Sequence, residues 1–280
     1  MTLRAKHVAE GLVSGMHQSP YKGASLEFAQ HRQYVPGDEF KYIDWKVYGR
    51  TDRFYVKQFQ EETNLRGYNV IDVSSSMGYT SGEVTKLEYA SYLSAAITYL
   101  MIKQRDSAGL ITFDKKIREF IPPRNFRAHM QLVMDKLDAL KPDGETDFPG
   151  SFGEIGRRIK KRSLLIIYSD FLEDPELLLK ALKFFPYLKN DVIIFHLLDP
   201  EEVNLKQAGQ VEYVDMETGG KLRTQPEVIR KEYRKNIKRF LEQVETGLRS
   251  HGIDYYRITT DTTLDQAIFK FMEGRKKVMP

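Results

Sequence analysis

Cysteine is absent from the 280 residues, which removes disulfides, thiolate metal sites and cysteine nucleophiles together and fits a reducing compartment. Long apolar runs are missing too. No window approaches the roughly 20 apolar residues of a membrane helix, and the start of the chain carries no apolar block of the secretory kind. Membrane insertion is therefore not expected, and a cytoplasmic location is. A charge excess is also lacking. The net charge of +4 is far from the lopsided balance of a dedicated nucleic-acid binder. The two basic runs, RRIKKR at 157–162 and RKK at 275–277, read as helix ends whose cations complement the carbonyl end of the macrodipole. Neither has interleaved aromatics for base stacking, so nucleic acid is not an expected partner.

The usual enzyme signatures are absent as well. There is no G-x-x-x-x-G-K-[ST] loop, no G-x-G-x-x-G after the first strand, no G-x-S-x-G elbow and no H-E-x-x-H pair. An aspartyl-phosphate phosphatase needs a second carboxylate two residues after its nucleophile, and that position here is Ser74. Of the six histidines, His196 lies in the apolar run DVIIFHLL and reads as a satisfied core residue. The expectation is a protein that is not an enzyme.

What is present is an alternation. With 41% hydrophobic and 29% charged residues the chain has the composition of an ordinary globular protein. From residue 65 onward, short runs rich in Val, Ile, Leu and Phe at 67–72, 107–113, 163–169, 191–198 and 253–258 alternate with segments of helical period. That is the pattern of a parallel sheet covered on both faces. Thr85 and Glu88 have capping-box spacing at the start of one helix. Pro175 behind Asp174 opens another, and Ile229, Tyr233, Ile237, Phe240, Val244 and Leu248 mark a long amphipathic one. A last helix follows Thr262. VEYVDMETGGKLRT, about 211–224, reads as a hairpin around Gly219-Gly220. Residues 1–64 differ in texture: a helix is expected at 3–13 and a strand in RFYVKQFQ, within a brace or subdomain preceding the main domain at 65–280.

In open parallel sheets, ligands bind beyond the carboxyl ends of strands, where neighbouring connections diverge. The first strand runs out into Asp72, Ser74 and Ser76, the strand SLLIIYS into Asp170, and Thr146 lies in the glycine-bearing loop DGETDF. If the sheet starts in its middle and winds outward both ways, these five oxygen-bearing side chains converge. Two carboxylates and three hydroxyls, with no nitrogen or sulfur, suit a hard cation, Mg²⁺ or Mn²⁺, with Ca²⁺ also admissible. A lone D-x-S-x-S is more often local capping than a metal site. The coincidence of Thr146 and Asp170 tips the reading toward the metal.

These motifs resemble the metal-ion-dependent adhesion site (MIDAS) of von Willebrand factor A domains: Asp72, Ser74 and Ser76 match its first motif, Thr146 the second and Asp170 the third. The resemblance implies a three-layer, Rossmann-like α/β fold. One departure is Phe171, where the family commonly has glycine. The segment EFAQHRQYVPGDEFKYIDWKVYGRTDRFYVKQFQEETN, 27–64, is similar to the signature of domain-of-unknown-function family fifty-eight, bacterial proteins associated with MoxR-type AAA+ ATPases. Within it, Trp45 is expected to be a buried brace, with a docking surface of Trp45 and neighbouring arginines as the alternative.

The function expected is a metal-dependent protein-interaction module. A partner's acidic side chain would complete the coordination of the cation, a MoxR-type ATPase is the partner that the resemblance implies, and the client protein is unknown. A metal-dependent phosphoester hydrolase and a metal-independent scaffold remain the rival readings.

Overall fold

The computed structural model describes residues 26–36, 43–61, 65–216 and 219–277; the helix expected at 3–13 lies outside them. Strand β1 (Leu26–Gln33) pairs antiparallel with β2 (Tyr55–Glu61), which holds the expected RFYVKQFQ strand, and the ladder slips register between Phe28 and Gln30. Between them Asp44 caps the short helix α1 (Trp45–Thr51), accepting from the N–H groups of Lys46 and Val47 at 2.9 and 3.3 Å. Trp45 is not buried. It is 60% exposed and meets Tyr48 and Phe54 edge-on. A first-turn position on a two-turn helix offers the ring neighbours on one side only, so the expectation of a buried brace fails.

The rest of the chain builds one six-stranded sheet. Its strands are β3 (Arg66–Asp72), β4 (Ser107–Phe113), β5 (Ile117–Arg124), β6 (Leu164–Ser169), β7 (Asp191–Leu198) and, after a separate hairpin of β8 (Val211–Val214) and β9 (Lys221–Thr224), β10 (Asp254–Thr259). The order is β10-β7-β6-β3-β4-β5, parallel throughout except for β5. The first strand of the sheet thus lies inside it, with β4 and β6 on its two sides. The helices are α2 (Lys86–Lys103), α3 (Arg127–Asp138), α4 (Phe148–Arg158), α5 (Pro175–Leu182), α6 (Phe184–Tyr187), α7 (Pro200–Asn204), α8 (Pro226–Ser250) and α9 (Leu264–Lys277).

The central strands are buried on both faces, and their alternation sorts side chains into two cores. Ile71, Leu110, Ile166 and Phe195 pack with Leu93, Ile97 and Met101 of α2 and with Phe271 of α9. Val70, Ile111, Ile167 and Ile194 pack with Phe152 and Ile155 of α4, Leu178 of α5 and Leu248 of α8. The result is the three-layer α/β architecture of a von Willebrand factor A-type fold. Truncating one of these fully buried aliphatic residues to alanine is worth about 2–5 kcal/mol.

The five expected strands, the helix starts at Thr85 and Asp174 and the hairpin at 211–224 stand where the pattern puts them. The capping box at Thr85 is formed in both directions, and Asp174 accepts from the N–H groups of Glu176 and Leu177. Strand β5 and helices α3 and α4 lie beyond the expected elements. Pro122 and Pro123 in β5 argue against a strand, but this is the antiparallel edge, where a missing N–H is tolerated. Gly109 lets that edge close in: a Cβ there would lie 2.5 Å from the carbonyl oxygen of Ile121. No helix among the described residues is long and apolar enough to cross a membrane.

Candidate functional site at the carboxyl end of the sheet

Strand β3 ends at Asp72, and its parallel register with β6, which matches Ile71 to Tyr168, sets Ser169 and Asp170 beside it. The Asp72 side chain is fully buried. Its Oδ1 accepts the N–H of Ser74 at 2.9 Å, which turns the chain into the short 3₁₀ helix Ser75–Gly78. That turn brings the Ser74 and Ser76 hydroxyls to 3.1 Å of each other. The DGETDF loop is docked by two backbone bonds, from Asp143 N–H to Val73 O and from Ser75 N–H to Gly144 O, both 2.8 Å. Gly144 has φ of +80°, a left-handed geometry natural to glycine. The docked loop places the Thr146 hydroxyl 3.5 Å from Asp72 Oδ1, a long contact. Asp147, the next residue, caps α4 by accepting from Gly150 N–H.

On the β6 side, the Ser169 hydroxyl donates to Asp72 Oδ2 at 2.6 Å and accepts the N–H of Phe171 at 3.0 Å. Asp170 is 2% exposed, and its Oδ2 lies 2.7 Å from the ammonium of Lys86, which is wholly buried. The same ammonium reaches Glu202 Oε1 at 2.5 Å. Glu202 belongs to α7, where its other oxygen accepts the N–H of Asp199 in a second capping box. Phe171, standing where the adhesion family has glycine, does adopt the left-handed conformation, with φ of 47°. Its ring is fully buried, stacked on Phe148 and edge-on to His196, so burial offsets a backbone cost of roughly 1–2 kcal/mol.

Residues 30–243 match the family described as "Protein of unknown function DUF58". The chain belongs to this family. Relatives include uncharacterized proteins of Mycobacterium tuberculosis and Mycobacterium bovis, 24% identical over 99% of this chain and 88% of theirs. Among solved structures, the chain is similar to the conserved hypothetical protein BatB from Bacteroides thetaiotaomicron, with 16% identity, 76% of this chain and 99% of that one covered, and a TM-score of 0.50. It also matches the VWA domain of SpRpn10 at 11% identity, 72% and 92% coverage and a TM-score of 0.41.

Electrostatics distinguish the carboxylates of this DUF58 protein. Burial, and then the charge of Asp170, push the Asp72 carboxyl up to about 7, against the hydrogen bonds it accepts. Burial alone would lower Lys86, but the Asp170 and Glu202 carboxylates outweigh it and raise it. Glu202 is raised by burial despite Lys86. When all are ionised, the three acids Asp72, Asp170 and Glu202 face one base among the described residues, Lys86. Asp72 has hydrogen bonds but no ion pair of its own among the described residues.

The residues fit a hard divalent cation on chemical grounds. The unmatched charge amounts to two, and the donors are oxygens. Adjacent ligands of an octahedral ion at about 2.1 Å stand roughly 3 Å apart, the separation that Ser74 and Ser76 have already. Among the described residues no group of three or more His, Cys, Asp or Glu side chains is gathered for a metal; the cluster here has two carboxylates and three hydroxyls and is of a different class.

Ser169, Lys86 and Glu202 were beyond sequence reasoning. One signal did exist: a lysine at the first position of a helix opposes the macrodipole and so asks for a carboxylate partner. His196 is the core residue expected, with Nδ1 2.8 Å from the Tyr255 hydroxyl.

Proposed function

We propose that this DUF58 protein is a cytoplasmic, non-catalytic adaptor that binds a protein partner through a divalent cation. An A-type domain suggests a protein-interaction module, and the observation that carries the metal dependence is Asp72: a wholly buried carboxylate with no cation of its own among the described residues, beside Asp170 and three hydroxyls. In this reading Asp72, Ser74, Ser76, Thr146 and Asp170 hold Mg²⁺ or Mn²⁺ directly or through water. The ion supplies an electrophilic position for a carboxylate of the partner. With Asp72 and an Asp170 shared with Lys86 as its charged ligands, the ion is not over-neutralised and keeps its appetite for a further oxygen anion. Lys86 fixes Asp170 from behind, so that one of its oxygens is already committed.

The family resemblance points to a MoxR-type AAA+ ATPase as the partner, the pair acting on a client protein. The test is co-purification of the full chain with that ATPase in Mg²⁺ or in chelator, comparing wild type with Asp72→Ala. Binding that needs both the ion and Asp72 supports the reading. Binding indifferent to both overturns it and leaves a metal-independent scaffold, whereas turnover of a phosphoester that depends on Asp72 would replace it with a hydrolase.

A further inference from the structure

A pocket of about 300 Å³ opens where the β8–β9 hairpin faces α7 and the start of α8. Tyr79, Tyr213, Tyr233, Leu222, Glu201 and Glu202 line it. Tyr213 and Leu222 are cross-strand partners, so the hairpin turns both toward the same side. Two features mark this as a built site. Glu201 accepts the N–H groups of Lys206 and Gln207 through Oε2 alone, at 2.8 and 3.2 Å, and no described cation pairs with its Oε1. The donors of the cations nearby are engaged elsewhere: those of Lys86 on Asp170 and Glu202, those of Arg230 on the carbonyls of Leu205, Lys206 and Gln207, and that of Arg234 on the carbonyl of Asn204. Burial first, and then the surrounding carboxylates, raise Tyr79 to about 12 and raise Tyr213 and Tyr233 as well.

We propose that this pocket takes the guanidinium of an arginine side chain presented by a partner polypeptide. Tyrosine faces attract a planar cation, and the guanidinium fork carries donors for Glu201 Oε1. Its methylene stem packs on Leu222 and Leu205. A purely apolar side chain would bury the glutamate and leave its Oε1 unserved, and a lysine ammonium would lack the plane that stacks. The pocket shares Glu202 with the Lys86–Asp170 ion pairs, but none of the five proposed metal ligands lines it, so its occupant does not need the metal.

The test titrates the full chain with N-acetyl-arginine amide, its neutral isostere N-acetyl-citrulline amide, and the corresponding lysine and leucine amides, following the NMR signals of residues 211–214 and 221–224. Saturable binding of the arginine amide is expected, with citrulline, lysine and leucine each weaker by about five-fold, the scale of one charged or cation–π contact. Glu201→Gln should weaken the arginine amide by about five-fold and leave citrulline unchanged. Leu222→Trp, at an exposed position of β9, should block the pocket and abolish binding. Binding of the arginine amide should survive both chelator and Asp72→Ala, which separates this inference from the metal reading. Citrulline, leucine or lysine binding as tightly as arginine, or no saturable shift at the hairpin, overturns it.

Discussion

Replacing Asp72 by asparagine should make the metal-free protein more stable, not less. The folded-state carboxyl sits at about 7 against an ordinary 3.8, and each unit is worth about 1.36 kcal/mol. Ionising Asp72 inside the fold therefore costs on the order of 4 kcal/mol at pH 8. Asparagine removes that charge and keeps an oxygen for the Ser74 N–H and the Thr146 hydroxyl. Its amide reverses the bond from Ser169, whose proton then loses its acceptor, a loss of about 1 kcal/mol. The net gain is about 3 kcal/mol, or roughly 6–9 °C in Tm for a chain of this size. The sign follows from linkage: a raised folded pKa contributes stability that is complete below 3.8 and lost as pH rises through 7. The advantage of Asp72→Asn should accordingly be present at pH 8 in chelator and vanish near pH 4. Added Mg²⁺ or Mn²⁺ should raise the wild type, by about 2.7 kcal/mol at a hundred times its Kd, and leave the variant unmoved. Thermal and urea denaturation at the two pH values, with and without the ion, measure all of this. An Asp72→Asn protein less stable than wild type at pH 8 in chelator would refute the claim that this carboxylate is held against its own charge.

His196 is buried and its imidazolium is disfavoured, down to about 4 from 6.5; that lowered value contributes about 3 kcal/mol, lost as pH falls from 6.5 to 4. Because this opposes the Asp72 contribution over nearly the same window, wild type should respond weakly to acidification there, while Asp72→Asn should lose stability steeply when followed by denaturation across pH 4–7. Lys86→Met strands Asp170 and Glu202 and should cost about 3–5 kcal/mol; adding Glu202→Leu should restore part of it, read from urea midpoints. Phe171→Ala keeps the left-handed strain while emptying the stack against Phe148, and should cost about 3–5 kcal/mol. Phe171→Gly, relieving the strain, should be the less damaged of the two.

What was legible in the chain followed from how far each signal reaches. Strand and helix periods, the caps at Thr85 and Asp174 and the D-x-S-x-S triplet are local, and each survives folding where it stands. The N-cap of helix α3 is Phe126, which offers no capping oxygen, and α4 carries three glycines, Gly150, Gly153 and Gly156, so neither announces itself. Gly156 is there for another reason: a Cβ would lie 2.3 Å from the Phe184 ring. Asp72 could be paired with Asp170 because the order of a doubly wound sheet predicts which strand ends meet, and Thr146 was added by the resemblance of its loop to the adhesion-site motif. The Lys86 pairings could not, since Asp170 and Glu202 lie 84 and 116 residues away and nothing in a local pattern selects them. That difference bears on the site itself. Oxygens around Asp72 are supplied by the loops that the sheet order forces together, whereas the partner of Asp170 comes from the first turn of α2 and the brace behind it from α7. A helix entry that opposes its own dipole persists only if the buried carboxylates repay it. Lys86 therefore belongs to the carboxylate cluster as much as to the helix, and any change in how α7 sits is transmitted to Asp170 through one ammonium group.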